Sequence, residues 1–484
     1  MAPGRVNKFF SSLHFHRGSA PSAHVSTSTS PQPPPEVDDV GRVHAEIRPQ
    51  TLPDLADPAR LPASACEPAN TGSKIPLRLD TKEHFDRIGR FRILVMGRAN
   101  AGKTTILQRV CNTTDLPEVF DGKGNKIDAK IVEASIGRGH HNIENELVFQ
   151  GNPGFIFHDS CGFEAGSANE FELMNEFVAH RATTLKLEQR IHAIWFCIPM
   201  TDFHRTITAA EARFFNKCDT GSVPVIVLLT KADTLNFAAI EQLLDEGKTI
   251  EAAKEQAFGL EKQMLTNIQT KIARELAQCT FPPKGYLPLN NMNGPCADCT
   301  LLLRCTADAL DQVALLQLLI TTQQANLVLN IEYAVIQEIW YLIMDQGVEE
   351  SSVSQLLKIQ RDVFYWMPCI QTPFQIHNEV QLPLLSSGHP ISPYHQLIAH
   401  GVGCILVFEY AYFYLQEKEV AGDLKETFAL AVREYQKSGT QDAVQRALQV
   451  AIKECKEDKD KGTKIITDLV VKHRMSKKLL KSAQ

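Results

Sequence analysis

The apolar run Phe91-Arg92-Ile93-Leu94-Val95-Met96 leads without a gap into Gly97-Arg98-Ala99-Asn100-Ala101-Gly102-Lys103-Thr104, and a helix-forming stretch follows to residue 110. No other part of the chain limits its fold as strongly. The octet fits G-x-x-x-x-G-K-[ST] between a strand and a helix, the setting in which that pattern cradles phosphates. Gly97 lets the chain leave the strand in a conformation closed to most residues. Gly102 lets the backbone approach phosphate oxygens. The N–H groups of Ala99, Asn100, Ala101 and Gly102 are expected to point at those oxygens, and the helix N-terminus adds its positive end. Lys103 supplies a mobile charge for β and γ phosphates. The Thr104 hydroxyl is placed to ligate Mg²⁺, and Thr105 lies near an α phosphate.

Beyond this loop, short apolar runs alternate with amphipathic stretches. Strands are expected over 91–96, 147–149, 155–158, 191–198, 223–229 and 286–289, with 150–154 as a turn. Helices are expected from 104, through Phe171, Met174, Val178 and Leu185, over 209–217, and as one long charged stretch over 237–276. Such alternation means an α/β fold, a mostly parallel sheet with helices on both faces. From about residue 301 strand signals stop, and 301–346 and 420–481 look helical. The expected organisation is a tail over 1–85, an α/β domain over 86–328 and a helical C-terminal region over 329–484. The tail reads as disordered: residues 20–37 are mostly Ser, Thr, Pro and Ala, including Pro33-Pro34-Pro35, and bury too little apolar surface to offset ordering entropy.

Two further elements follow strands in the order a nucleotide site requires. The strand over 155–158 ends in Asp159-Ser160-Cys161-Gly162, a D-x-x-G at the strand end where ligands of open α/β sheets bind. Asp159 would hold Mg²⁺ directly or through water, and the Gly162 N–H would meet the γ phosphate. The strand over 223–229 ends in Thr230-Lys231-Ala232-Asp233. A carboxylate there accepts from the guanine ring N–H and exocyclic amine while the Lys stem covers the base. Adenine offers no such donors and would leave the Asp unpaired. Leu289-Asn290-Asn291, after the last strand, is in place for a backbone contact to the base through Asn290.

These elements together resemble the Ras-like G domain of the translation-factor-related class of P-loop GTPases, over residues 90–328. More narrowly, Arg138-Gly139-His140-His141-Asn142-Ile143-Glu144, His158 through Glu164 and Ile194-Trp195-Phe196-Cys197-Ile198 look like a group of large G-domain proteins. More distantly they are similar to the septin, chloroplast-import and immunity-associated GTPases. The resemblance implies a G fold, GTP and GDP as ligands, and Mg²⁺.

Two departures bear on hydrolysis. The residue after D-x-x-G, often a water-orienting Gln in fast GTPases, is Phe163. The segment expected to lend a Thr to Mg²⁺ holds none; Ser135 is the candidate metal ligand, and Arg138, flanked by glycines, the candidate charge for the γ phosphate. Slow or partner-assisted turnover is expected, with Lys103, Arg138 and Gly162 stabilising the transferred group. The alternative is a GTP-binding assembly module with little turnover. A homodimer or an effector would then engage the helical C-terminal region.

Composition sets the outer limits. With 44% apolar and 22% charged residues and a net charge of −6, the 484-residue chain shows no pull toward nucleic acid. Twelve cysteines are too few for a disulfide framework at this length, so reduced thiols in the cytoplasm are expected. The first 35 residues, Ser-rich and without an acid, have the look of a mitochondrial leader, but Pro3, Gly4 and Gly18 interrupt any amphipathic helix. Residues 394–415 match a bilayer in length, yet Glu409 makes a buried core helix the better reading. Membrane contact through the Lys-rich C-terminus is not favoured over a solvated helix. Cys296-x-x-Cys299 suggests zinc or redox chemistry, but no second pair has ligand spacing, so plain thiols are expected.

Overall fold

The computed structural model describes residues 89–127, 142–160, 168–184, 186–294, 297–323, 326–340, 352–367, 393–418, 424–454 and 459–474. The expected tail, Ser135, Arg138, Gly162, Phe163, Leu185 and Cys296 lie outside the described residues.

Eight strands form one sheet: β1 (Phe91–Gly97), β2 (Glu118–Phe120), β3 (Lys126–Ile127), β4 (Glu146–Phe149), β5 (Asn152–Asp159), β6 (Ala193–Pro199), β7 (Val225–Thr230) and β8 (Gly285–Pro288), in the order β3-β2-β4-β5-β1-β6-β7-β8. From β5 to β8 all neighbours are parallel; β3, β2 and β4 extend the sheet antiparallel past β5. The sheet is therefore mixed: parallel from β5 to β8, and antiparallel at one side, where β4, expected over 147–149, is joined by β2 and β3.

Apolar runs, interrupted in β1 only by the buried Arg92, leave β1, β6 and β7 buried along their whole length, as strands covered on both faces must be. The two-residue period splits them between layers. Phe91, Ile93, Val95, Ala193, Trp195, Cys197, Ile226 and Leu228 face one core. Leu94, Met96, Ile194, Phe196, Ile198, Val227 and Leu229 face the other. The second layer is closed by helices α2 (Ala168–Thr183), α3 (Ala209–Lys217) and the C-terminal half of α5 (Ile250–Leu276), through Ile268, Ile272 and Leu276. Preceding it, α4 (Leu235–Asp245) packs against the other half of α5. The expected single helix over 237–276 is thus two, broken where Gly247 takes φ 86° and Thr249 caps the N-terminus of α5.

The first layer begins with α1 (Lys103–Val110) and continues through α6 (Thr300–Asp308), α7 (Val313–Thr322) and α8 (Leu327–Ala334), which runs on into a π turn at Val335–Ile339. The Trp195 indole N–H donates to Thr306 Oγ1 at 3.1 Å, fixing α6 to the sheet. Asn152 Nδ2 donates to the Thr322 carbonyl at 2.9 Å, fixing α7 to the start of β5. The same apolar core extends into α9 (Val353–Phe364), α10 (Pro393–Lys418), α11 (Leu424–Lys437), α12 (Thr440–Glu454) and α13 (Lys459–Lys472).

Helix α10 is the stretch of bilayer length. It packs against α9 and α11, and its Glu409 is fully buried. The carboxylate accepts from Arg474 Nε at 2.8 Å, so the charge sits paired inside the helical layer. Among the described residues no helix is long and apolar enough to cross a membrane.

Candidate nucleotide site

Where β1 ends, the chain must turn sharply beneath its neighbour. Gly97 has φ 136°, and a Cβ there would stand 2.1 Å from the Cys197 carbonyl oxygen on β6. No side chain fits, so the first glycine of the motif is fixed by backbone approach as well as by conformation. Asn100 takes the left-handed region at φ 57°, and Gly102 at φ 81° is the N-cap of α1. The α1 N-terminus has no side-chain cap. Its first amide groups remain available to an anion, the arrangement that suits a phosphate.

Asp159, the last residue of β5, pairs in register with Val95 beside it on β1. Its Oδ1 lies 3.8 Å from Lys103 Nζ, and both side chains are largely buried. The first turn of α1 thus meets the end of β5, with Thr104 exposed to solvent next to Lys103. A hydroxyl and a carboxylate are hard oxygen ligands, a donor set that fits Mg²⁺. Just before Asp159, His158 is buried and burial pushes its pKa down to about 3, with Arg92 and Arg181 adding to the effect. A neutral His158 accepts no charge from the site and binds the Ile143 carbonyl through Nδ1 at 3.0 Å. Burial likewise pushes the Cys197 thiol up to about 12, so no thiolate competes beside the loop.

The Thr230–Asp233 turn lies against the phosphate loop. The Lys231 stem reaches within 3.9 Å of where a Gly102 Cβ would stand. Lys231 itself holds φ 54°, a left-handed conformation secured by two bonds to its carbonyl: from the Thr234 N–H at 3.0 Å and the Thr234 hydroxyl at 2.7 Å. The segment after β8 locks onto the same turn. The Ala232 N–H donates to the Leu289 carbonyl at 3.1 Å, and the Asn291 N–H to Asp233 Oδ1 at 2.9 Å. Asn290 is exposed between these two anchors.

The sequence therefore points to residues the fold brings together: the loop from Gly97 to Thr105, Asp159, Thr230 to Asp233, and Asn290. Ser135, Arg138 and Gly162 fall outside the described residues. Two contacts were not anticipated. Arg109, on α1, donates to the carbonyls of Met292 at 2.9 Å and Asn293 at 3.2 Å, tying the helix after the phosphate loop to the segment after β8. Arg98, a variable position of the motif, is buried against Glu211 of α3. The only sequence signal for the second was Thr208-Ala209-Ala210-Glu211, a capping-box pattern ahead of a helix. Among the described residues no group of three or more His, Cys, Asp or Glu side chains is placed to hold a metal, and the described cysteines are free thiols, Cys299 among them.

Residues 92–231 match a family described as 50S ribosome-binding GTPase. No curated protein matches the chain. Solved structures do match, among them Aquifex aeolicus Era bound to GDP and AlF4⁻, at 14% identity and a TM-score of 0.25, over 52% of this chain and 67% of that one. The sheet, the ordered motifs and the family match over 92–231 make this region a P-loop GTPase domain with the Ras-like G fold.

Proposed function

We propose that residues 86–328 bind Mg·GTP and hydrolyse it slowly, as a nucleotide-dependent switch, while residues 329–484 present the surface that an effector or a second copy of the chain engages. One observation carries the ligand assignment: the Lys231 stem stands against Gly102, so a single nucleotide spans from the phosphate loop to Asp233. The amides of Ala99 to Gly102 and the Lys103 ammonium hold the phosphates, with Thr105 beside the α phosphate. Asp233 reads the guanine edge, Thr230 shapes the pocket floor, Lys231 covers the base, and Asn290 lies where a backbone group meets it. Thr104 and Asp159 would hold Mg²⁺, which would neutralise charge building on the phosphates.

Hydrolysis then rests on Lys103, the Gly162 amide and Arg138 opposing the charge of the transferred group. Ser135 would complete the metal shell. With Phe163 where a water-orienting Gln would stand, unassisted turnover is slow. Phe163 also favours a second reading, an assembly module that binds GTP and scarcely turns it over. Cytoplasmic residence rests on cysteine usage.

Single-turnover hydrolysis of GTP, measured beside the oligomer size in GDP and in a non-hydrolysable GTP analogue, separates the two readings. A switch releases phosphate in one slow phase that Arg138→Ala lowers by at least tenfold. An assembly module changes oligomer size between the two nucleotides and releases none. No phosphate and no change in size would exclude both.

A further inference from the structure

The second residue of the phosphate loop points away from where the nucleotide would lie. Arg98 is 1% exposed and its partner Glu211 is fully buried. Its Nε donates to Glu211 Oε1 and its Nη2 to Oε2, each at 2.9 Å. Nη2 also reaches the carbonyls of Arg205 at 2.8 Å and Thr206 at 3.2 Å, and Nη1 lies 3.6 Å from the Asp202 carboxylate. Glu211 is itself committed at the start of α3: its Oε2 accepts from the Thr208 N–H at 2.7 Å, and its own N–H donates to Thr208 Oγ1 at 3.3 Å. One guanidinium therefore ties the 202–206 segment, the α3 N-terminus and the phosphate loop together. The loop closes on the same residue, since the Ala101 N–H donates to the Arg98 carbonyl at 3.3 Å.

We propose that Arg98 is a positioning residue for phosphate binding: its buried clamp on Glu211 holds the loop backbone in the phosphate-cradling form before nucleotide arrives. The inference rests on the GTP-site reading above. The nucleotide needs the loop amides that face it aligned at once, and a preformed loop spends no binding energy on alignment. A planar fork with five donors meets a carboxylate and two carbonyls together; an ammonium cannot reproduce that geometry. The clamp acts on the phosphate end alone. The guanine-reading turn is held by separate bonds, between Thr234 and Lys231 and between Asn291 and Asp233. Losing the clamp thus weakens every nucleotide in proportion and leaves the choice of base unchanged.

The test titrates GTP, GDP and ATP into the full chain and into Arg98→Lys and Glu211→Gln, with a thermal melt of each. Glu211→Gln keeps an oxygen for the Thr208 N–H and so preserves the α3 cap. Both variants are expected to bind GTP and GDP about ten- to a hundredfold more weakly, the loss of one or two charge-assisted bonds, with the GTP-to-ATP ratio unmoved. A third variant, Arg98→Met with Glu211→Gln, removes both charges; it regains melting temperature relative to Arg98→Lys but not affinity. If affinity returns together with melting temperature, or if either single variant melts lower and binds GTP as tightly as the parent, Arg98 serves stability alone and the proposal fails. Should a single variant not fold, the other decides. A parent chain that melts normally and takes up no GTP overturns the underlying site reading instead, and the proposal with it.

Discussion

Replacing Gly97 by alanine places one methyl group where the fold leaves none. An ideal Cβ would stand 2.1 Å from the Cys197 carbonyl oxygen and 2.9 Å from both its carbonyl carbon and its Cβ. These atoms belong to β6, which is paired with β1 through five residues of register ending at Gly97 and Cys197 themselves. Neither strand can retreat without breaking the ladder. Holding a non-glycine residue at φ 136° costs about 1–3 kcal/mol, and displacing a packed neighbour adds about 1–3 kcal/mol. The sum, roughly 2–6 kcal/mol, is a large part of an ordinary stability of about 5–15 kcal/mol. At about 2–4 °C per kcal/mol the melting temperature should fall by about 4–24 °C. Circular dichroism melts in the absence and presence of GTP measure it, and GTP should restore little because the loop amides are displaced. A Gly97→Ala protein that melts within 1 °C of the parent and binds GTP normally would refute the reasoning.

Gly259, inside α5, provides the opposite case: nothing lies within 4 Å of its Cβ position. Gly259→Ala should raise stability by about 0.5–1 kcal/mol in denaturant melts through helix propensity, and a loss would contradict the account of α5. Glu409→Ala leaves the partly shielded Arg474 guanidinium without its carboxylate and should cost about 2–4 kcal/mol, less than the full penalty for a wholly buried pair. An unchanged melting temperature would show that the pair contributes nothing. His158 and His192 are both held neutral by burial, with pKa values lowered to about 3. The unfolded chain takes up their protons below about 6.5 while the folded chain does not, so their contribution is complete above that pH and is lost as pH falls toward 3. Each should add about 1.4 kcal/mol per pH unit to the stability slope between pH 6 and 4. A His192→Gln protein with an undiminished slope would contradict this.

What the sequence made legible is what repeats locally. β6 and β7 are continuous apolar runs and β1 is one broken only by Arg92, so both their existence and their double burial could be read directly. The three binding motifs sit at the ends of β1, β5 and β7 because the chain leaves a parallel strand at the edge where ligands bind. On the antiparallel side only β4 was legible. β2 and β3 are three and two residues long, too short to show a period, and they pair around a turn in which Asp121 accepts from the amides of Lys123 and Asn125. The expected five-residue turn between β4 and β5 is shorter, because Phe149 pairs with Asn152 and β5 begins there. The Arg98–Glu211 clamp was invisible for another reason: the partners are 113 residues apart, and no local pattern encodes a contact made only when α3 docks beside β1.

The central claim is that Asp233 and the phosphate loop grip one guanine nucleotide. Isothermal titration of GTP, GDP and ATP in the presence of Mg²⁺ tests it most directly. GTP should bind at least about a hundredfold more tightly than ATP, since adenine offers the carboxylate neither the ring N–H nor the amine that guanine presents, and Asp233→Ala should erase the difference while phosphate-dependent affinity survives. Equal affinities for ATP and GTP in the unsubstituted protein would contradict the claim.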